Sequence, residues 1–227
     1  MLDRKELIKN FLLDRSISPE ERRRRFEIAW DVRKNLETVE LKLKQDLILK
    51  LKEKLEEEFK GYEVINNRLI EGDKWGNLLV FKKEWIFSEE EKIGILQYAL
   101  EATKYGIQDL VIGIRKFDDD REIPFKGNWR TEQNLSSPLS EIINSIFSTL
   151  EKTKEGWWVD EWWIAKKGLR EPYGGMLKKE FFLEIITDEG LEKVVDYFFQ
   201  EFQKLKDSTE KLINKFVEEF KKLRKEN

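Results

Sequence analysis

Residues 77–117 read NLLVFKKEWIFSEEEKIGILQYALEATKYGIQDLVIGIRKF, and this stretch decides the fold. β-branched and aromatic residues fill three runs within it, separated by polar turns at 88–91 and 104–106, and a similar run covers 62–70. Short apolar runs divided by turn residues are typical of consecutive antiparallel strands. The sequence therefore predicts a β-meander of about four strands over 62–117. Both faces of this sheet are partly apolar, so we expect helices to cover at least one of them.

Amphipathic helices are predicted on both sides of the meander. Ser18 and Pro19 supply an N-cap and a proline at the first helical position. Apolar residues then continue at steps of three and four from Leu36 to Phe59. Residues 1–60 are therefore expected to form a helical arm that stops at Gly61, where glycine permits the left-handed backbone of a helix end.

The second half of the chain is predicted to add a helix, further strands and one long helix. Ser137 opens an amphipathic helix, residues 157–164 read as a strand, and residues 181–186 favour a strand over a helix. From Gly190 an apolar stripe extends over 190–224, which predicts a long C-terminal helix. We predict one α+β domain over 1–227, built around an antiparallel β-meander of about four to six strands. Its parts are a helical arm at 1–60, the meander at 62–117, a helix plus strands at 136–187, and the long helix at 190–224.

The composition excludes several classes of chemistry. The 227 residues contain neither histidine nor cysteine, which rules out serine–histidine triads, cysteine nucleophiles and most zinc, haem and iron–sulfur sites. The formal net charge of −3 argues against a dedicated polyanion binder. No apolar run reaches the ~18 residues that a membrane span needs. The absence of disulfides and of an apolar leader at the N-terminus predicts a cytoplasmic protein. We expect no bound cofactor, except Mg²⁺ if the chain is a nuclease.

Tryptophans are the strongest candidates for a binding surface. Trp157, Trp158, Trp162 and Trp163 would place two rings on each face of a single strand. Exposed rings stack on bases or on the side chains of a partner, whereas buried rings belong to the core or to a subunit interface. A further candidate pair, Trp129 and Arg130, lies in a polar connection.

One constellation is compatible with catalysis. Asp31 is followed by Glu40 and Lys42, and an acid followed by Glu-x-Lys is the minimal pattern of the PD-(D/E)XK nucleases. In such a site the two carboxylates bind Mg²⁺ and the lysine positions or activates the attacking water. This hypothesis requires Glu40 to lie on a strand with Asp31 within about 5 Å. A continuous helix through 36–60 would exclude it.

The order of several short motifs resembles a known group of proteins. Trp75 is followed by Phe81-Lys82-Lys83-Glu84-Trp85, then by Ile93-Gly94-Ile95 and by Ile112-Gly113-Ile114. This order is similar to the C-terminal, non-catalytic half of bacterial and phage proteins of the PD-(D/E)XK nuclease family. In that family the catalytic core lies N-terminal to this region, so the resemblance implies an accessory or recognition domain, in phage or defence biology. It transfers no catalytic residue to this chain.

Three functions therefore remain open after the sequence is read. The first is a non-catalytic module that binds a protein or a nucleic acid through the tryptophan-rich segment and the long helices. The second is the Mg²⁺-dependent nuclease, and the third is a structural homodimer that pairs through the C-terminal helix.

Overall fold

The fold is described from a computed structural model, which covers residues 4–71, 76–88, 93–103, 106–116, 137–160, 163–169 and 179–226. The chain divides into two compact units, residues 1–42 and residues 43–227. We call them the N-terminal unit and the main unit.

Helices and strands together give the predicted α+β class. The helices are α1 (Arg4–Leu13), α2 (Pro19–Glu58), α3 (Ser137–Glu151), α4 (Lys179–Ile185) and α5 (Asp188–Glu226). The strands are β1 (Tyr62–Asn67), β2 (Asn77–Lys82), β3 (Ile86–Ser88), β4 (Ile93–Gly94), β5 (Leu96–Thr103), β6 (Gly106–Lys116), β7 (Trp158–Asp160) and β8 (Trp163–Gly168). None of the helices in the described ranges is long and apolar enough to cross a membrane.

The predicted meander is confirmed as the first four strands of a six-stranded sheet. The strand order is β1-β2-β5-β6-β8-β7, and every neighbouring pair is antiparallel. β3 and β4, which come between β2 and β5 in the sequence, pair with each other in a separate two-stranded ribbon. The sheet brings β6 against β8 so closely that a Cβ atom on Gly113 would lie 2.1 Å from the carbonyl oxygen of Ala165. Any side chain at position 113 would therefore push β6 and β8 apart, and glycine avoids this.

The predicted signals lie at both ends of α2, whereas the cap of α5 was not predicted. The Ser18 Oγ accepts a hydrogen bond from the backbone N–H of Glu21 at 3.1 Å, which is the N-cap geometry expected for α2. Gly61 has φ +82° after the end of that helix. For α5 the cap is Thr187, whose Oγ1 accepts from Gly190 N–H at 3.1 Å. The long C-terminal helix therefore begins at Asp188, slightly before the predicted Gly190.

Two local predictions were wrong. Residues 181–186, expected as a strand, belong mainly to helix α4, because Phe181 and Ile185 lie one turn apart and are both buried while Leu183 between them is 59% exposed. Residues 157–164, expected as one strand, instead contribute to two antiparallel strands, β7 and β8. The pairing of these two strands has a register shift between Trp158 and Asp160, so it is not a regular ladder.

The core of the main unit is formed by the sheet with α3, α4, α5 and the C-terminal part of α2. Lys50 and Lys54 of α2 form ion pairs with Glu192 and Asp196 of α5, at 2.5 Å and 2.6 Å. The apolar stripe of α5 faces this core; its buried members are Leu191, Val194, Val195, Phe198, Phe202, Leu205, Ile213, Phe216, Val217 and Phe220. This stripe is therefore not available for the predicted pairing of two C-terminal helices across a homodimer.

Candidate functional site

Polar contacts hold the joint between α1 and α2 in the N-terminal unit. Ser16 donates two hydrogen bonds to Asp14 Oδ1, from its backbone N–H at 2.9 Å and from its hydroxyl at 2.6 Å. These bonds are the main cause that lowers the pKa of Asp14, with smaller contributions from Arg25 and Arg22. Arg25 donates to the carbonyl oxygen of Phe11 at 3.1 Å and lies 4.4 Å above the ring of Phe11. The joint is thus ordered without an apolar core of its own.

Most of the large apolar side chains of the N-terminal unit are exposed to solvent. None of its described residues belongs to the buried core, and all nine residues from Asp31 to Val39 are exposed, so every face of this part of α2 meets water. The exposed large apolar residues of the unit are Leu7, Ile8, Phe11, Leu13, Phe26, Ile28, Trp30, Val32, Leu36, Val39 and Leu41. Concentrated exposure of this kind marks an interaction surface more often than an ordinary protein exterior.

Four of the apolar residues on α2 form a seam with regular spacing. Ala29, Val32, Leu36 and Val39 follow one another at steps of three, four and three, which places them along one face of the helix. We call these four residues the α2 seam. Val32 is 60% exposed, and Leu36 and Val39 are about half exposed. Alternating steps of three and four are the pattern by which one helix packs along another in a coiled coil.

An aromatic pair lies beside the seam. The rings of Phe26 and Trp30 stack with their centroids 6.2 Å apart, and both residues are more than half exposed. The four consecutive arginines Arg22–Arg25 lie on the turn of α2 before this pair. Of these, Arg25 is held by Glu21 at 3.2 Å in addition to Phe11. The surface therefore combines an apolar seam with a basic end.

The structure does not provide the strand that the nuclease hypothesis requires. Asp31, Glu40 and Lys42 all lie on α2, which is a continuous helix from Pro19 to Glu58. Nine residues separate the two acids, which corresponds to about 13 Å along the helix axis. The expected approach of Asp31 to Glu40 within about 5 Å is therefore wrong. Within the described ranges no group of three or more Asp and Glu side chains converges as a metal site would require.

The predicted tryptophans are placed in three different environments. Trp158 is 42% exposed, Trp157 is partly buried, and Trp163 is 1% exposed and belongs to the core. Of the two alternatives for these rings, Trp163 therefore follows the buried one and is not part of an exposed stacking surface. Trp129, Arg130 and Trp162 lie outside the described residues.

Trp157 lines a cleft of about 420 Å³ that contains a buried ion-pair cluster. Its indole N–H donates to Thr153 Oγ1 at 3.0 Å, and the Lys167 ammonium lies 5.0 Å from its ring centroid. Lys167 pairs with both Glu155 and Glu201. Lys204, which is mostly exposed, donates to Glu201 Oε1 at 2.6 Å.

The charges of this cluster satisfy one another. The side chains of Lys167 and Glu201 are each 5% exposed. Burial acts to raise the pKa of Glu201, but the hydrogen bonds from Lys167 and Lys204 outweigh it and hold the pKa below its ordinary value. Because both buried charges are paired, the cluster connects β8 to α5 and supports the wall of the cleft. Sequence reasoning missed it because Lys167 and Glu201 are 34 residues apart, and the only local signal is a lysine at the end of an apolar strand.

Comparison of the chain with protein-family models, with curated proteins and with solved structures finds no match.

Proposed function

We propose that this chain is a non-catalytic protein-binding module, and that its N-terminal unit contacts the partner through the α2 seam. The observation that carries this proposal is the segment Asp31–Val39, a helix that is exposed on every face and still carries Val32, Leu36 and Val39 at coiled-coil spacing. A partner helix packed along this seam would cover those side chains.

The energetic argument favours an occupied seam over a bare one. Most helices in proteins gain their stability by packing an apolar face, and the exposed part of α2 lacks such packing in the single chain. Each buried methylene contributes about 0.8 kcal/mol. Covering Val32, Leu36 and Val39 would therefore stabilise both the complex and the exposed part of α2.

The chemistry of the surface suits a protein better than a nucleic acid. Val32, Leu36 and Ile28 are aliphatic and are more than 45% exposed, and aliphatic side chains do not neutralise phosphates. Arg25, at the basic end, is already engaged by Glu21 and Phe11. The chain as a whole is acidic, with a formal net charge of −3. A nucleic acid is therefore the less favoured partner, and the test below distinguishes it from a protein.

The test is site-specific photo-crosslinking in cells that express the chain. A benzophenone amino acid replaces Leu36 in one variant and Lys34, on the opposite face of α2, in the control. We expect discrete protein adducts from position 36 and few from position 34. Each crosslinked protein is then identified and purified, and its affinity for the chain is expected to fall at least tenfold on the change Leu36→Asp.

Two results would overturn the proposal. One is equal crosslinking from both positions, because the seam would then have no preference as a contact surface. The other is a band shift of labelled DNA or RNA at near-physiological salt, abolished by replacing Arg23 and Arg24 with glutamine, without any seam-specific protein adduct. That combination would identify the basic end of α2 as a nucleic-acid site.

A further inference from the structure

We infer that the occupant of the α2 seam is the same seam of a second copy of this chain, with the two α2 helices antiparallel. This inference rests on the proposed function, because it names the partner of the same surface. It replaces the homodimer predicted through the C-terminal helix, whose apolar stripe is buried in the main unit.

The seam is complementary to itself when two copies run in opposite directions. The twofold axis crosses the seam at the height of position 34 along the helix. Val32 of each copy then lies level with Leu36 of the other, and Ala29 of each lies level with Val39 of the other. The contact is then four layers of apolar pairs that repeat symmetrically about the axis. A twofold dimer needs this property, in which each residue and its partner exchange roles between the copies.

Charge selects the antiparallel direction. Continuing the spacing of the seam towards the N-terminus leads from Ala29 to Arg25 and then to Arg22. In a parallel pair both arginine runs, Arg22–Arg25 from each copy, would meet at the same end of the seam. In the antiparallel pair the two runs lie about 30 Å apart along the axis, which is several times the ~8 Å Debye length at physiological salt.

The size of the contact sets the expected strength. Stable interfaces bury about 1,200–2,000 Å² in total, and a contact of two short helical segments is smaller. We therefore expect a reversible dimer with a dissociation constant of about 1–100 μM, which corresponds to roughly −8 to −5.5 kcal/mol.

Analytical ultracentrifugation of the purified full-length chain over about 1–300 μM tests the inference directly, a range that brackets the expected constant. The 27.4 kDa monomer should give way to a species of twice that mass as concentration rises. Leu36→Asp should weaken the dimer at least tenfold. The control is Leu183→Asp, since Leu183 is also an exposed leucine, 59% exposed on α4, and should leave the dimer unchanged.

Spin labels on single introduced cysteines test the direction of pairing. The native chain has no cysteine, so each label is unique. Glu27 and Lys34 lie two turns apart on the outer side of α2, so Glu27→Cys and Lys34→Cys are the two positions. The antiparallel dimer predicts a longer distance between the two copies at position 27, with about 21 Å of additional separation along the axis. A parallel dimer predicts the same distance at both positions.

The possible failures can be told apart. A chain that stays monomeric at all concentrations, or whose association responds equally to Leu36→Asp and Leu183→Asp, overturns the inference. Equal label distances at positions 27 and 34 overturn the antiparallel pairing. If crosslinking from position 36 nevertheless captures a different protein whose binding is lost on Leu36→Asp, the proposed function stands and only its partner is changed.

Discussion

Replacing Lys167 by methionine would test whether the buried cluster beside Trp157 links β8 to α5. The change keeps most of the side-chain volume and removes the cation. Glu201 would then face Glu155 with only Lys204 as its remaining partner. Because the Glu201 side chain is 5% exposed, little water is available to replace the lost partner.

The structure sets the expected magnitude. Removing one partner of a buried ion pair costs about 3–5 kcal/mol, and the retained Lys204 pair places Lys167→Met near the lower limit, at about 3 kcal/mol. Glu201→Leu should cost about 2 kcal/mol, since Lys167 keeps Glu155. The double variant removes both buried charges and should cost only about 1 kcal/mol. The resulting interaction energy between the two sites is about 4 kcal/mol.

Urea unfolding followed by far-UV circular dichroism at pH 7 gives the four free energies of this cycle. Lys204→Met is the matched control: its side chain is 61% exposed, so it should cost less than about 1 kcal/mol. Additive effects of Lys167→Met and Glu201→Leu would refute the reasoning, as would a cost for Lys167→Met no larger than that of the control.

Three further predictions concern acidity, backbone packing and the tryptophans. The pKa of Glu201 lies below its ordinary value of 4.5, so the ionised carboxylate stabilises the fold fully above pH 4.5, and this stabilisation is lost as the pH falls through the folded-state pKa. Glu201→Gln should therefore reduce the loss of unfolding free energy at acidic pH, in urea melts recorded from pH 7 downwards. Gly113→Ala should cost about 1–3 kcal/mol by forcing β6 from β8, whereas Gly168→Ala, which meets only ordinary contacts, should change the melting temperature little. Trp163→Ala should cost about 3–5 kcal/mol, and Trp158→Ala, at an exposed site, less than about 1 kcal/mol in the same denaturation assay.

The sheet and the helix ends were predictable because their signals are local. Ser18 caps α2 through its own neighbours, and the turn residues between apolar runs define the meander over 62–117. The α4 segment was not predictable on the same basis, because Phe181, Leu183 and Ile185 alternate as in a strand while Phe181 and Ile185 also lie one helical turn apart. A seven-residue helix offers too few positions to separate the two periods.

The surroundings of the cleft beside Trp157 were only partly predictable. The sequence identified Trp157 and Trp158 as residues of interest, and the structure places both at the surface or close to it. It offered no means of pairing Lys167 with Glu201, since the two residues meet only after β8 joins the sheet beside β6 and α5 packs on α3. Ion pairs between distant segments leave no periodic signal in either segment.

The sequence by itself determined where the main helices and strands lie: strands within 62–117, a helix from Pro19 towards the glycine at position 61, and a long helix over 190–224. It also determined what chemistry is absent, because no histidine or cysteine is present. Only the tertiary structure decided which parts of the apolar faces are covered by another segment. Leu36 and Leu47 belong to one apolar series on α2, yet Leu47 is fully buried and Leu36 is about half exposed. Periodicity specifies that a face is apolar, whereas burial depends on whether another segment arrives to cover it.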